Sequence, residues 1–556
     1  MRISLAVFLV ACGLAPDACF ASGLDFVVAV DANRDGKIDE DDYTYSGEAS
    51  LRSGGLVLVN CDDDDEDGKR DCDDDRLNSA QDFDDAAIVA VLSESSLKNL
   101  SVRLECPEGA ARLFMPDEED SPGPSWESPE TPGGGIAFRV EACRFAGPDW
   151  DGTITVRAKA EAADGVVHEG KAALRVAPLI LRPGSAPPEI AFVREFPDRN
   201  EALLEGLTKS TADAGCQLHI VPGEAPYPAN HIWLQDAVEF GECSVPGNRM
   251  VVAMPSNRNR GVDLFARDRL LGPGFGYVRV GEYRKPFAEG EGGVSWIDWY
   301  GNLEATPPVP GHPLGRILYG VDRERNAQLN PEVVATLAAQ GMQEPLPLDV
   351  GWLTIKHVDE MIGFVPHAKG LSENEPGNFW TLVPDTPSAI KLLEKLAADG
   401  HADAPMLTVF EPGLTVGALL GDEQFLERNR KLQAERIDPM IESLIEGLRL
   451  DPARVIRIPS LYNEGGLSRV PCMVNCLVLG GHIAMADPDG PEIDGPGNSK
   501  IDPFQEEVRR LIEPTGVVIR FVDDRQYHKW SGNVHCATNV VRAPLPRPWW
   551  LLEGGE

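Results

Sequence analysis

The pattern of secondary-structure signals changes near residue 180. Upstream of that point, short runs rich in β-branched and apolar residues are separated by turn residues, and no long helical period intervenes. Closely spaced short strands predict a β-sandwich of the immunoglobulin kind over residues 24–180. We predict a mobile loop at 116–135, which is rich in Pro and Gly. The predicted strands are 26–30, 56–60, 88–92, 101–105, 136–140 and 153–160.

Downstream of a boundary near 178–189, strand-like runs alternate with segments that have apolar residues three and four positions apart. This alternation predicts an α/β unit over residues 181–556, so the whole chain is expected to be a multidomain α+β protein. The predicted helices are 199–215, 331–341, 387–400, 422–450 and 503–516. The predicted strands are 217–222, 250–255, 361–366, 477–486 and 517–524.

The first 22 residues have the features of an export signal. Arg2 precedes the apolar run 3–11, and small residues suited to cleavage follow at 18–23. The apolar run is too short to span a bilayer, and no later stretch is long and apolar enough. Residues 9–12 also fit a lipoprotein processing site, which would put a lipid on Cys12. The sequence therefore predicts an exported protein, either secreted or periplasmic, with a lipid anchor as an alternative.

Nine cysteines remain downstream of this segment. An odd number outside the cytosol predicts one thiol with a separate role and leaves up to four disulfides. The pair Cys472 and Cys476 has no second ligand pair nearby, so we do not expect a zinc site there.

The net charge of −38 argues against a nucleic-acid partner, because phosphate contacts need clustered Lys and Arg. Residues 24–100 hold 22 Asp or Glu against 7 Lys or Arg, so much of the acid is concentrated there. The run 62–75 is either a solvated acidic face or a place where cations neutralise the carboxylates, and calcium is the cation that dense carboxylates favour.

The segment 31–42 matches the spacing of a calcium-binding loop. Oxygen-bearing side chains at alternate positions can wrap one hard cation, and Gly36 permits the tight turn between them. The flanks are predicted as strand and loop, so this is a calcium loop without the helix pair of an EF-hand. The predicted ligand residues are Asp31, Asn33, Asp35, Asp39 and Asp42.

Four segments of the α/β unit carry potential chemistry: 231–241, 253–261, 356–364 and 531–542. Taken singly, a lone His-x-Asp is usually structural and a lone Cys usually belongs to a core. Together the segments supply a thiol, an imidazole and two carboxylates, which is a nucleophile with groups that bind a cation. His357 and Asp359 are two residues apart, so on a strand or turn both side chains are expected to share a face.

These segments resemble the protein-arginine deiminase family. WLQDAVEFG, SNRNRG, GNLEATPPV, HVDE, VPCMVNCLVLGGH and NVHCATNVVR occur in the family's order. The resemblance implies a calcium-binding middle domain at about 24–180 and a catalytic domain at about 181–556, folded as a five-bladed α/β propeller of the pentein kind. The regulatory N-terminal β-domain of the animal enzymes has no counterpart in this sequence.

The resemblance also implies residue roles. Asp236 and Asp359 correspond to the acids that bind the guanidinium group, His357 to the general acid/base and Cys536 to the nucleophile. Trp233 corresponds to the wall beside the substrate's aliphatic stem. Arg258 and Arg260 correspond to the arginines near the substrate backbone, which favour peptidyl arginine over the free amino acid.

A calcium site beside the active site is implied by the same resemblance. Its ligands correspond to Gln235, Glu239, Glu304 and the main-chain oxygens of Tyr300 and Leu303. A second site of the animal enzymes has lost two ligand positions, to Ala237 and Pro255, so we do not expect it here. Trp530 stands where the animal enzymes have an arginine at the pocket mouth.

The expected activity is therefore calcium-dependent conversion of arginine side chains in proteins or peptides to citrulline. Two alternatives remain. The first is hydrolysis of free arginine or another small guanidine compound, against which Arg258 and Arg260 argue. The second is a calcium-stabilised surface module without activity, against which the four filled catalytic positions argue.

Overall fold

The computed structural model describes residues 25–45, 48–74, 76–115, 123–162, 164–223, 227, 231–257, 261–281, 295–367 and 375–552. The predicted export signal, Cys12, Arg258 and Arg260 lie outside these ranges. Within them, the helices are too short or too polar for any to cross a membrane.

Two sheets pack face to face in the first part of the chain. One sheet has the order β1 (Phe26–Ala29), β3 (Ala87–Ser93), β7 (Ile136–Ala142), β5 (Ala111–Phe114). The other has the order β2 (Gly55–Val57), β9 (Val167–Val176), β8 (Thr153–Ala162), β4 (Leu97–Glu105), β6 (Ser125–Thr131). Neighbours are antiparallel except β2 and β9. Inward-facing side chains such as Leu58, Phe138 and Val156 are fully buried between them, so this is the β-sandwich expected from the closely spaced short strands.

Two predictions in this part were wrong. Part of the predicted loop, residues 125–131, forms the edge strand β6, which pairs with β4. Opposite Pro129 of this strand, Asn99 of β4 takes a left-handed backbone conformation. Pro129 is tolerated because an edge strand does not need every N–H for pairing. The predicted strand 56–60 is shorter than expected, since β2 ends at Val57.

The second part contains five sheets of one design within its described residues. In each, a first strand pairs antiparallel with a central strand, a helix follows, and a third strand returns parallel to the central one. The five sets, in that strand order, are β13 (Val238–Val245), β14 (Asn248–Pro255), β15 (Phe275–Tyr277); β16 (Leu303–Ala305), β17 (Ile317–Asp322), β19 (Pro345–Asp349); β20 (Gly363–Pro366), β21 (Phe379–Asp385), β22 (Val455–Pro459); β23 (Leu477–Leu479), β24 (His482–Ala486), β27 (Val518–Val522); and β28 (Thr538–Arg542), β11 (Pro188–Arg194), β12 (Gln217–Val221).

The last set joins the two ends of this unit, because the C-terminal strand β28 pairs with β11 near its start. Four further short strands complete the sheets or form a hairpin: β10 (Ile180–Leu181), β18 (Ala327–Gln328) and the pair β25 (Ile493–Asp494) with β26 (Lys500–Ile501). The last strand of the sandwich, β9, ends at Val176, and the next strand, β10, begins at Ile180 and pairs with β13 of the second part. The sandwich therefore ends between residues 176 and 180, close to the predicted boundary.

The helices, numbered along the chain, are α1 (Glu40–Tyr43), α2 (Ala80–Asp85), α3 (Glu201–Asp213), α4 (Leu234–Ala237), α5 (Phe265–Leu270), α6 (Pro331–Ala339), α7 (Thr386–Leu396), α8 (Val416–Leu420), α9 (Glu423–Leu432), α10 (Asp438–Leu448), α11 (Pro503–Ile512), α12 (Arg525–His528) and α13 (Val534–Ala537). The predicted helix 422–450 is divided between α9 and α10 by a π-helical turn at Gln433–Ile437. Pro439 lacks a backbone N–H and so cannot continue the regular ladder. The predicted strand 477–486 is a hairpin, because Gly480 has a φ of 62°.

The expected disulfides are absent among the described residues, where all nine cysteines are free thiols. Burial raises the pKa of Cys61, Cys243 and Cys472 well above the usual value of a thiol, so these side chains stay protonated and unreactive.

Candidate active site

Short turns that lead into the first strand of each set meet at one place. The turn before β13 carries Asp236, and that before β16 carries Gly301. The 3₁₀ turn Val358–Glu360 before β20 carries Asp359, with His357 at its start. Asn475 lies two residues before β23, and Cys536 lies in α13, which leads into β28. Because the five sets share one design, equivalent positions converge on a common centre.

Gly301 marks that centre. A Cβ atom built on it would lie 2.4 Å from His357 Nδ1, 3.0 Å from Asp236 Oδ1 and 3.1 Å from Asp359 Oδ2. His357, Asp236 and Asp359 are each at most 4% exposed. A glycine is needed here because any side chain would push these three groups apart.

The Cys536 thiol lies beside one of the carboxylates. Its Sγ is 3.5 Å from Asp359 Oδ2 and 3.2 Å from Asn475 Nδ2. Burial, followed by the nearby charges of Asp359 and Asp236, raises the pKa of the Cys536 thiol well above its usual value. Without a positive charge in the pocket, the thiol therefore stays protonated.

The imidazole of His357 lies between a carboxylate and a backbone carbonyl. Its Nδ1 is 3.5 Å from Asp236 Oδ1, and its Nε2 is 2.7 Å from the Trp296 carbonyl oxygen. The preceding residue, Lys356, has a φ of 71°, which is unfavourable for a residue other than glycine. Lys356 Nζ is held by Asp322 Oδ2 at 2.6 Å and the Gly351 carbonyl at 2.7 Å, so this conformation is stabilised by an ion pair.

Trp233 is the residue predicted to line the substrate's aliphatic stem. It lies at the start of α4, half-buried, in edge contact with Tyr527, and a Cβ on Gly532 would come within 2.4 Å of its ring. The ring of Trp530 packs against that of Phe196 in a tilted arrangement, with an interplanar angle of 56°. The predicted substrate-binding residues Arg258 and Arg260 lie outside the described residues.

A set of oxygen-bearing groups lies directly behind Asp236. Gln235 Nε2 donates to Glu239 Oε2 at 2.9 Å and to the Tyr300 carbonyl at 3.3 Å. Burial and mutual repulsion raise the pKa of Glu239 well above its usual value, and burial raises the pKa of Glu304 to about 7. Carboxylate, amide and carbonyl oxygens are the ligands of hard dications. With the carbonyl of Leu303, these residues fit a calcium ion by their donor chemistry.

His535 connects this set to the catalytic carboxylate. Its Nδ1 is 3.0 Å from Asp359 Oδ2, and its Nε2 is 3.4 Å from Glu304 Oε1. These two carboxylates raise the pKa of His535 despite its burial. A change at Glu304 can therefore reach Asp359 through one side chain.

The predicted calcium loop of the sandwich folds around its own carboxylates. Asp31 accepts backbone N–H groups of Asp35 and Gly36, and Asn33 accepts that of Asp35. Burial raises the pKa of Asp31 to about 6. Asp42 accepts N–H groups of Ala32, Asn33 and Asp39, so it closes the loop. The loop runs into the one-turn helix α1, where a non-helical flank was expected, because Asp39 caps that helix.

Part of the acidic stretch from Asp62 onward is buried. Ligand atoms of Asp62, Asp64 and Asp85 lie within 4.8 Å of one another. Burial and mutual repulsion raise the pKa of Asp64 to about 7 and that of Asp85 to about 9. Asp62 Oδ1 and Asp64 Oδ2 are buried without a hydrogen-bond partner among the described residues. Such a cluster fits a hard cation, which would supply the missing partner.

This buried cluster also contacts the second part of the chain. Asp62 Oδ2 accepts the N–H of Gly274 at 2.7 Å, and Asn248 donates to Asp85. The cluster therefore lies at the junction of the sandwich with the β13–β15 sheet.

The structure brings together Asp236, His357, Asp359 and Cys536, as the sequence predicted. Sequence analysis missed Gly301, Asn475 and His535. Gly301 and Asn475, in the fragments GNLEA and MVNC, each lie two residues before a strand, and this shared position was the available signal.

Comparison with known proteins finds relatives from one family. A sequence model described as protein-arginine deiminase matches residues 166–551. Human protein-arginine deiminase type-4 is 30% identical over 578 residues, which cover 96% of this chain and 83% of that protein. Human type-1 is 30% identical over 96% of the chain and 83% of its own length. Mouse type-3 is 31% identical over 90% of the chain and 78% of its own length.

Among solved structures there is a distant likeness to a substrate-bound agmatine deiminase of C. Jejuni. It has a TM-score of 0.40 and 12% identity, and it covers 66% of this chain and 97% of that one.

Proposed function

Because the chain belongs to the protein-arginine deiminase family of hydrolases, we propose that it hydrolyses arginine side chains of proteins or peptides to citrulline in a calcium-dependent reaction. The observation that supports this most directly is the convergence of the Cys536 thiol, His357 and two buried carboxylates on the space above Gly301. We further propose that the five sheets are the blades of a pentein propeller and that the protein acts outside the cytoplasm.

The two carboxylates suit a guanidinium group. Guanidinium is planar and cationic, and a carboxylate can accept two of its N–H groups at once. Asp236 and Asp359 lie on either side of Gly301, so together they hold the central carbon still. The positive charge of the substrate also offsets the two negative charges that keep the Cys536 thiol protonated. Binding of the correct substrate therefore favours the thiolate.

The reaction then divides into two steps. The Cys536 thiolate forms a bond to the guanidinium carbon, His357 donates a proton to a terminal nitrogen, and the carbon–nitrogen bond breaks to release ammonia. In the second step His357 takes a proton from water, the oxygen bonds to the carbon, and the carbon–sulfur bond breaks. The products are the ureido group of citrulline and the regenerated thiolate.

Calcium bound by Gln235, Glu239, Glu304, Tyr300 and Leu303 would neutralise the mutual repulsion of the two glutamates. Gln235 and Glu239 flank Asp236 on one segment. Fixing that segment orders Asp236 and Trp233, which bind the substrate.

The test is citrulline formation from an arginine peptide blocked at both ends, with calcium and with a strong chelator. We expect turnover that requires calcium and a clear preference for the peptide over free arginine and agmatine. Preference for a free guanidine compound would refute the peptide assignment, and full activity after exhaustive chelation would refute the calcium requirement.

A further inference from the structure

Asn475 contacts the reactive sulfur, and no role has been assigned to it above. We propose that Asn475 is a catalytic residue whose amide donates a hydrogen bond to the sulfur of Cys536 as it becomes a thiolate. This inference rests on the proposed function, because it concerns the nucleophile of that reaction.

The orientation of the amide follows from its three hydrogen bonds. The backbone N–H of Cys536 donates to Asn475 Oδ1 at 3.2 Å, so the oxygen must face that donor. The Nδ2 group then faces two acceptors, the Asp359 carbonyl at 3.3 Å and Cys536 Sγ at 3.2 Å. All polar atoms of the side chain are used, and Asn475 is only 1% exposed. The amide cannot rotate away from the sulfur without breaking three bonds in a buried site.

Among the described residues, Asn475 supplies the side-chain N–H that lies within hydrogen-bond distance of Sγ. The side-chain acceptor beside it is Asp359 Oδ2 at 3.5 Å, and the backbone N–H of Asn533 is a second donor toward the sulfur. In the resting protein the thiol proton can point to Asp359 while the sulfur lone pair accepts from Asn475. Once the substrate guanidinium occupies Asp359, the thiol loses this acceptor, but the contact with Asn475 remains.

A neutral donor suits this site better than a charged one. A lysine or arginine at this position would stabilise a thiolate more strongly, but it would also pair with Asp236 and Asp359, which the substrate cation needs. An amide N–H stabilises the sulfur anion and leaves both carboxylates available for the guanidinium.

The position of Asn475 in the fold supports the same role. It lies in the turn before β23, and the other four sets have Asp236, Gly301, Asp359 and Cys536 in the corresponding turns. Each of the five sets therefore contributes at least one residue to the centre. Without Asn475, the β23–β24–β27 set would contribute none of the residues described there.

A purely structural role is the competing explanation, and Asn429 offers a matched control. Asn429 is fully buried, accepts the N–H of Tyr462 at 2.9 Å, and donates to the carbonyls of Phe425 and Tyr462 at 3.0 Å. Asn429 and Asn475 each accept one backbone N–H and donate two hydrogen bonds. Both hydrogen bonds donated by Asn429 go to backbone carbonyls, whereas one of those donated by Asn475 goes to the thiol sulfur.

The experiment measures the pH dependence of alkylation of Cys536 by iodoacetamide in the full chain with calcium, located by peptide mass spectrometry. The variants are Asn475→Leu, Asn475→Asp, Asn429→Leu and Asn429→Asp. We expect Asn475→Leu to raise the midpoint by about one to two pH units, since it removes a hydrogen bond to a charged group. Asn475→Asp, which keeps the shape and adds a negative charge, should raise it at least as far. The Asn429 variants should leave it unchanged.

In the peptide assay, Asn475→Leu should lower kcat by about 10- to 100-fold and change KM little. An unchanged midpoint in folded Asn475→Leu or Asn475→Asp protein would overturn the proposal, and so would an equal shift in the Asn429 variants. If Asn475→Leu does not fold, Asn475→Asp carries the test. Alkylation needs no turnover, so a wild-type protein that fails to deiminate peptides would refute the proposed function separately.

Discussion

Two groups of buried carboxylates in this molecule differ in how their oxygen atoms are arranged. Around Gly301, Asp236 and Asp359 come from different sheets and face a shared space that also receives Cys536 and His357. In the sandwich, Asp62, Asp64 and Asp85 face one another, with ligand atoms within 4.8 Å. Under the proposed function the first pair would bind the planar guanidinium cation of a substrate, whereas the close-set oxygens of the second suit a small spherical cation.

The cysteine thiols near the two groups of carboxylates also differ in their surroundings. Cys61 and Cys243 lie near the sandwich cluster, where burial raises the pKa of both and nothing can offset it during a reaction cycle. Cys536 also has a raised pKa, but it faces the space where a cationic substrate would bind. We therefore expect reactivity to depend on access to a transient positive charge, which no substrate brings to the sandwich cluster. The following predictions test this division, from the largest expected effect to the smallest.

Replacing the nucleophile should have the largest effect. Cys536→Ser should fold normally and lose roughly 10⁴-fold or more of its activity, because a hydroxyl is a far weaker nucleophile than a thiol at neutral pH. Citrulline formation and the melting temperature are the measurements. The control Cys106→Ser removes a partly exposed thiol of the sandwich and should retain activity. Substantial turnover by Cys536→Ser would contradict the assignment.

Neutralising either catalytic carboxylate should cost almost as much. Asp236→Asn and Asp359→Asn each remove a charge and place a donor where the guanidinium offers donors, so we expect losses of roughly 10³-fold. Asp385→Asn, at the helix-capping position of α7, is the control and should affect only stability. Near-normal rates in either catalytic variant would show that the two-carboxylate arrangement is wrongly assigned.

Glu239 should separate activity from stability. Glu239→Ala removes a ligand beside Asp236, so we expect loss of about 100-fold in activity at moderate calcium and a small change in melting temperature. Glu242 is a matched control on the same strand, since it is buried and accepts the N–H of Leu545 at 3.0 Å. Glu242→Ala should lower the melting temperature and leave the calcium dependence of activity unchanged. The reverse pattern would place the calcium requirement elsewhere.

The sandwich cluster should make stability depend on pH only when calcium is removed. The pKa values of about 7, 8 and 9 for Asp64, Asp71 and Asp85 are raised above their unfolded value. Protonated carboxyls favour the folded state, so in chelator this contribution is full below about pH 4 and is lost as the pH rises to about 9. Thermal unfolding in chelator should show this decline, and calcium should abolish it. A decline of equal size in Asp62→Asn with Asp64→Asn would show that other groups cause it.

Substitutions in the predicted calcium loop of the sandwich, residues 31–42, should have the smallest effect on the protein. Asp31→Ala with Asp35→Ala removes two predicted ligands at the surface, so the melting temperature in calcium should fall by about 2–4 °C while the rate remains measurable. The same substitutions should change the melting temperature little in chelator. A loss of activity as large as that of Glu239→Ala would erase the distinction between the two regions.

The sequence by itself determined most of the strands and helices and four of the residues that meet at Gly301. Strand and helix signals in 153–160, 331–341 and 503–516 were strong because their apolar residues follow one period along the chain, and packing then only buried them. The catalytic set was visible as well, because Asp236, His357, Asp359 and Cys536 lie in short segments with distinctive composition and family resemblance. Local patterns of this kind do not depend on which distant segments pack together.

Only the tertiary structure decided which residues meet. Asn475 and His535 lie in segments that the sequence singled out, but their roles follow from contacts that join residues 61 and 176 positions apart. Gly301 is essential for spatial reasons, since it leaves room for three side chains from two other turns. The pairing of β28 with β11 likewise joins opposite ends of the second part. The pKa of Cys536 depends on all of these, because burial and carboxylates from other sheets raise it, and no property of its immediate sequence does so.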